Sequence, residues 1–361
     1  MSQLTTGLWR KMSGRLRIWK KRETKSETSF MKNGRMLLEG CAASRNGKCN
    51  PIRIFSMEEL KRATDNYSRS HVFYCDGYFK LYRGILQGRA ICVKKFVTSS
   101  LWTNSAIDEV VIASQMSIHK NVLKLIGCCL ETETPTLVHE FPKNGTLKDG
   151  LCVSQGACRQ PLSWKCRLRI AADIASAVAY LHTAFPRPII HRNIKPASVL
   201  LAENNVAKLS DFSFCIPIPD GESRVQEVPW GTWGFIAPEY LATGSLTEKA
   251  DVYALGMLLF VLLTGHQLMC YDGHLNSEHS IRSDVVNYYA ENRSRLIEIL
   301  DHSVVEEARC PAKAQQLQDF IALAFRCINR TEEDRPTMTD VAKQLRQMER
   351  SALCCNNACN H

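Results

Sequence analysis

The sequence has no acidic residue before Glu23, no apolar stretch long enough to span a membrane and no repeating spacing of metal ligands. The longest apolar run, Tyr253 to Leu263, falls well short of the ~20 residues that cross a bilayer. It suits a buried helix of a large domain. No signal-peptide apolar core follows Met1, so the sixteen cysteines, scattered singly or as neighbours such as Cys128 and Cys129, are expected to be reduced thiols in a cytoplasmic protein. Cys354, Cys355, Cys359 and His361 lie in a short polar tail, where zinc or lipid attachment is only a minor alternative. Basic excess is missing from most of the chain. Of the formal charge of +10, +9 falls in residues 1–50, which hold 12 basic and three acidic side chains. The rest is almost neutral, which excludes a nucleic-acid-binding body and leaves any polyanion to the tail. With 45% hydrophobic and 23% charged residues the chain is globular, and 361 residues exceed one core, so two lobes are expected.

Residues 1–50 read as a basic tail and linker, taken to be disordered. Trp9, Met12, Leu16 and Trp19 are spaced to share one helical face, with Arg10, Lys11, Arg15, Arg17 and Lys20 interleaved and Gly14 interrupting. Two rival readings of that pattern are peripheral contact with an anionic membrane such as the plasma membrane and an organelle-targeting segment. Ser2 stands where myristoylation requires glycine.

From Ile52 onward the pattern tightens. Ser56 with Glu59 three residues later forms a capping-box signature for a helix. Ala90–Val97 is β-branched and aromatic, which predicts a strand. Residues 106–118 suit a helix, and Ser163 caps a longer one whose apolar positions Leu168, Ala171, Ile174, Ala175, Val178 and Leu181 recur at helical period. Strand signals crowd residues 72–141 and helices dominate 163–350, so a β-rich lobe followed by a helical lobe is expected.

Lys94 on its strand, Glu109 on its helix, His191-Arg192-Asn193 with Lys195, Asp211-Phe212-Ser213, Ala237-Pro238-Glu239, Asp251 and Arg335 follow one another in a recognisable order. In that order and spacing they resemble a eukaryotic protein kinase over residues 71–350. The fold implied is α+β and bilobal, with a small β-rich lobe (71–141) carrying one regulatory helix and a large α-helical lobe (142–350). A pre-kinase helix (51–70) precedes it and a Cys-rich tail (351–361) follows. The prelude from Phe55 to Ser68, the segment Leu125 to Leu130 and the segment Gly231 to Tyr240 are similar to those of plant receptor-like cytoplasmic kinases.

Several groups that phosphoryl transfer needs are altered. Counting back from Tyr82-Arg83-Gly84, the three glycine positions of the phosphate-covering loop fall on Tyr74, Asp76 and Phe79, where side chains obstruct the approach of backbone amides to phosphates. Asp76 adds negative charge there. Asn193 stands at the position of the general base, and its amide cannot accept a proton. Losing such a base costs about 10²–10⁴ in rate. Ser198 occupies the place of the second magnesium ligand, while Asp211, the first, is kept and Ser213 replaces the glycine after Phe212. Lys94 and Glu109 are retained either as residual ATP contacts or as an ion pair that fixes the helix. Glu239 and Arg335 resemble a structural pair, and His191 and Asp251 have mainly architectural roles in the family. Ser213, Ser223 and Thr232 mark a candidate regulatory segment, which a modification could order through Arg192.

The Tyr180–Pro186 and Leu209–Phe214 segments are similar to the non-functional receptor-like cytoplasmic pseudokinases of plants that partner a coiled-coil NLR immune receptor in effector-triggered immunity. That resemblance implies an adaptor or sensor requiring no cofactor. Its implied partners are the receptor, other receptor-like cytoplasmic kinases and bacterial effectors. The alternative is a weak or atypical ATP- and Mg-dependent serine/threonine kinase built on Lys94, Asp211 and Lys195.

Overall fold

A computed structural model describes residues 25–43, 51–97, 100–151, 161–265, 267–268, 280–281, 289 and 293–358. The chain enters through helix α1 (Lys25–Ala43), strand β1 (Arg53–Ile54) and helix α2 (Met57–Ala63). Ser56 caps α2 with the reciprocal box: its Oγ accepts from Glu59 N at 3.1 Å, and Glu59 Oε2 accepts from Ser56 N at 2.9 Å. Strands β2 (Val72–Cys75), β3 (Phe79–Leu86), β4 (Arg89–Phe96), β5 (Leu125–Cys129) and β6 (Thr136–Glu140) follow, with helix α3 (Thr103–Met116) between β4 and β5. They form one six-stranded sheet ordered β1-β5-β6-β4-β3-β2.

Residues 51–70 are thus built into the small lobe. β1 pairs in parallel with β5, and a Cβ on Gly127 would stand 1.9 Å from the Arg53 carbonyl oxygen, so only glycine lets the edge strand approach. Phe55, Leu60 and Ala63 bury against Tyr82, Ile91, Val93 and Val138 on one sheet face, while α3 covers the other.

The large lobe is helical: α4 (Leu147–Leu151), α5 (Trp164–Thr183), α6 (Pro238–Thr243), α7 (Lys249–Thr264), α8 (His302–Glu307), α9 (Pro311–Cys327) and α10 (Met338–Ala358). Short paired strands β7 (Ile189–Ile190), β8 (Val199–Leu201), β9 (Ala207–Leu209) and β10 (Ile216–Pro217) lie between α5 and α6. Ser163 caps α5, and Leu168, Ala171, Ile174, Ala175, Val178 and Leu181 on it are fully buried. The apolar run from Tyr253 to Leu263 is the centre of α7, buried throughout. Its polarity signal is low all round because neighbours cover every side. α10 runs through Ala358, so the boundary drawn at 350 falls within a helix.

One expectation is corrected. Residues 25–43, placed in a disordered tail, form α1 and pack on α3. Asn33 is fully buried and its Nδ2 donates to the carbonyl oxygens of Leu130 at 3.0 Å and Thr132 at 2.9 Å. Met36 and Leu37 pack on the core, and Gly40 lets the helix close to within 3.0 Å of Val111 Cγ2. This cover explains why 11 of the 14 residues of α3 are buried. The Trp9 to Trp19 pattern and residues Cys359 and His361 lie outside the described residues. Among the described residues no helix is long and apolar enough to cross a membrane, and no His, Cys, Asp and Glu group is arranged to hold a metal.

Candidate functional site

The cleft between the lobes is where the sequence positions converge. β4 carries Lys94, α3 carries Glu109, and the turn after β9 carries Asp211 and Ser213. Lys94 Nζ donates to Glu109 Oε2 at 2.7 Å, Asp211 Oδ1 at 2.6 Å and Ser213 Oγ at 2.8 Å. The Ser213 hydroxyl stands 2.7 Å from Glu109 Oε2 and 2.9 Å from Asp211 Oδ1, so it can donate to either carboxylate in turn. The residue in the family's glycine position has therefore become the fourth member of a buried charge knot. It is 6% exposed, which withdraws Ser213 from the modification points available on the surface.

The other oxygen of Asp211 is engaged as well. Asn193 Nδ2 donates to Asp211 Oδ2 at 3.0 Å, and Asn193 Oδ1 accepts from Thr232 Oγ1 at 3.0 Å. An aspartate at 193 would set two carboxylates against each other here, whereas the amide offers a donor to one side and an acceptor to the other. Asp211 itself adopts a left-handed backbone, φ 65°. Burial pushes its pKa up, but Lys94, Lys195 and the Ser213 hydroxyl outweigh that and hold it below the ordinary carboxylate value. Burial raises the pKa of Glu109 despite Lys94, and Glu109 Oε1 has no hydrogen-bond partner. Burial depresses the Lys94 pKa, yet the two carboxylates reverse the sign and raise it.

The glycine-loop positions sit on the β2–β3 hairpin. Asp76 Oδ1 accepts from the amides of Tyr78 at 2.8 Å and Phe79 at 3.1 Å. The turn thus carries its own anion on the amides that a phosphate would need. Phe79 lies over Lys94, with Nζ 3.9 Å from its ring centroid, and packs beside Tyr74 and Phe96. The space left between Phe79, Leu81, Lys94, His139, Leu200 and Asp211 is small, about 10 Å³. With both Asp211 oxygens engaged and Asp76 seated on the hairpin amides, these residues as they stand fit neither a metal nor the phosphates of a nucleotide.

Four aromatic rings from three segments cluster together, one of them next to Ser213 in the chain. Tyr78 of the hairpin, Trp102 before α3, and Phe214 and Trp230 of the following segment make mutual ring contacts with centroids 5.0–6.2 Å apart.

The remaining candidates are architectural in their contacts. Ser198 Oγ donates to the Lys195 carbonyl and accepts from Lys195 N, both at 3.0 Å, which spends its hydroxyl on its own turn. Asp251 accepts from the backbone amides of His191 at 2.8 Å and Arg192 at 2.9 Å and pairs with His182. Arg192 donates through Nε to the Phe214 carbonyl and lies 4.0 Å from Glu227. Arg335 is 1% exposed and makes a bidentate pair with Glu239, 2.7 Å on each arm. Ser223 is exposed, whereas Thr232 is half-buried on Asn193.

Sequence reading missed two participants. His139 lines the cleft from β6, 3% exposed. Burial, reinforced by Lys94, pushes its pKa down to about 3, so it is neutral. Phe79 was read only as a missing glycine. Its role as the lid over Lys94 depends on hairpin geometry that no local signal carries.

Comparison with known proteins agrees with this architecture. Residues 78–345 match the family described as protein kinase domain. The chain is 41% identical to the non-functional pseudokinase ZED1 of Arabidopsis thaliana over 326 residues, covering 89% of this chain and 96% of that one. It is 38% identical to the serine/threonine-protein kinase ZRK1 (92% and 95% covered) and 38% identical to the non-functional pseudokinase ZRK2 (91% and 92%), both of Arabidopsis thaliana. A β-sheet lobe and a helical lobe, joined at a cleft filled by its own side chains, place this chain in the protein kinase domain family, among plant relatives that include named pseudokinases.

Proposed function

We propose that the chain is a kinase-fold binding module that transfers no phosphate and serves as an adaptor or sensor in plant innate immunity. The observation that carries the catalytic half is the double engagement of Asp211. Lys94 and Ser213 hold one oxygen and Asn193 the other, so the residue that would carry a metal is turned inward. The likeness to pseudokinases that partner a coiled-coil NLR supports the second half. On that reading one face meets the receptor, and another meets effector-modified receptor-like cytoplasmic kinases or bacterial effectors. The exposed Ser223 is the hydroxyl on the regulatory segment that a modifying enzyme reaches.

A second reading, a weak kinase, is favoured by the relative named a serine/threonine-protein kinase and by retention of Lys94, Asp211 and Lys195. Purified protein with radiolabelled ATP and Mg²⁺ or Mn²⁺ separates the two. No incorporation, and no rise in melting temperature on nucleotide titration, supports the adaptor. Incorporation abolished by Lys94→Ala overturns it. A pull-down from plant tissue tests the partner, and recovery of kinase substrates without an immune receptor would sink the immune half.

A further inference from the structure

One part of the small lobe is strongly basic although the body as a whole is not. Residues 61–95 hold eight Lys and Arg side chains against two acids, Asp65 and Asp76. On the sheet face that carries α2, Tyr82, Ile91 and Val93 are buried. Two residues further along each strand on that face stand Lys80 of β3 and Lys95 of β4, directly opposite each other in register. Side chains so paired have Cβ atoms ~4.5–5.5 Å apart, and like charges there repel. Burial lowers the pKa of Lys95, and the Lys61 ammonium of α2 lowers it further, which sets a third cation beside the pair. No ion pair joins any of these three lysines to an acidic side chain among the described residues. Asp76 is spent on the amides of Tyr78 and Phe79.

The cluster has a built support. Lys95 Nζ lies 3.8 Å from the centroid of the Tyr67 ring, and that ring meets Tyr82 edge-on at 5.5 Å. Tyr67 reaches this place through three successive left-handed residues, Asp65, Asn66 and Tyr67, with φ of 49°, 53° and 57°, a conformation that costs energy for any side chain but glycine. A ring face holds a cation without neutralising it. The ammonium is therefore positioned while its charge stays available. A carboxylate would answer one of the three charges, whereas a phosphate monoester carries close to two and offers three acceptor oxygens, which lysines bind as point charges. We infer that Lys61, Lys80 and Lys95 form a docking point for a phosphorylated side chain of a partner protein. The site lies on the sheet face opposite Lys94, so it stands whether or not the cleft transfers phosphate.

Fluorescence anisotropy of the full chain with a labelled Gly/Ser peptide bearing one phosphoserine, and with its unphosphorylated twin, tests this. The phosphorylated peptide should bind about tenfold more tightly. Lys80→Glu should abolish that preference. Because it sets a carboxylate opposite Lys95, its melting temperature should equal or exceed the parent's, which separates lost binding from lost folding. Lys148→Glu, at an exposed position of the large lobe, should leave the preference unaltered. Equal binding of the two peptides by the parent overturns the inference. So does a preference that survives Lys80→Glu, which assigns the phosphate to another part of the chain. Retention on phosphatidylcholine vesicles carrying phosphatidylinositol phosphate, lost with Lys80→Glu and without any peptide preference, also overturns it and assigns the face to a membrane. The ATP assay and the plant pull-down report on the adaptor reading separately, so each idea can fail alone.

Discussion

Asn193 shows how one atom exchanged redirects a site. Its amide nitrogen serves Asp211 and its oxygen serves Thr232. Asn193→Asp, nominally a restoration of the base, should replace that donor with a like charge and destabilise the fold by about 1–3 kcal/mol. Thermal melting should show a loss of roughly 2–4 °C per kcal/mol, without phosphoryl transfer. An unchanged melting temperature would refute the reading. His139 gives a pH signature. Its folded-state pKa of about 3 lies below its unfolded value near 6.5, so the native state binds fewer protons. Its contribution is intact above about pH 6.5 and is lost as pH falls toward 3, by about 1.4 kcal/mol per pH unit. Melting curves from pH 7 to 5 should show this slope, and His139→Gln should flatten it. Each altered kinase position was legible in the sequence as a loss. What the replacements bond to was not, since Lys94 and Ser213 are 119 residues apart.

At the scale of elements, α1 is where reading the sequence fell short, and the reason is physical. Its buried face is built on an asparagine and a glycine, Asn33 and Gly40, residues that ordinarily argue against a helix. Their use is tertiary: Asn33 satisfies two carbonyls beside the β5–β6 turn, and Gly40 admits Val111. Asn33→Ala should therefore cost about 1–3 kcal/mol by leaving those carbonyls without a donor. Hydrogen exchange should quicken in α3 and α1 together while α5 keeps its protection. Quickening confined to α1 would mean that it does not hold α3. By contrast the boxes at Ser56 and Ser163 and the period of α5 were readable, because capping and amphipathicity are local.

The molecule as a whole keeps the frame of a kinase with its cleft closed by its own side chains. The large lobe rests on fixed pairs such as Arg335 and Glu239, so Glu239→Ala, which strands a buried guanidinium, should cost about 3–5 kcal/mol. Denaturant midpoints should report it, and a shift under 1 kcal/mol would show that the carbonyls of Asn329 and Lys249 suffice. The bilobal order was legible because the motifs keep their sequence spacing, while the closure was not, because it is a matter of rings and volumes. The charge knot also has an evolutionary consequence. Asn193 and Ser213 both hold Asp211, and Ser213 and Phe79 both bear on Lys94, so reverting any one loosens a partner that the others still hold before any activity returns. A lineage that acquired all three crossed a one-way gate, and its descendants can diversify their surfaces without regaining catalysis by single steps.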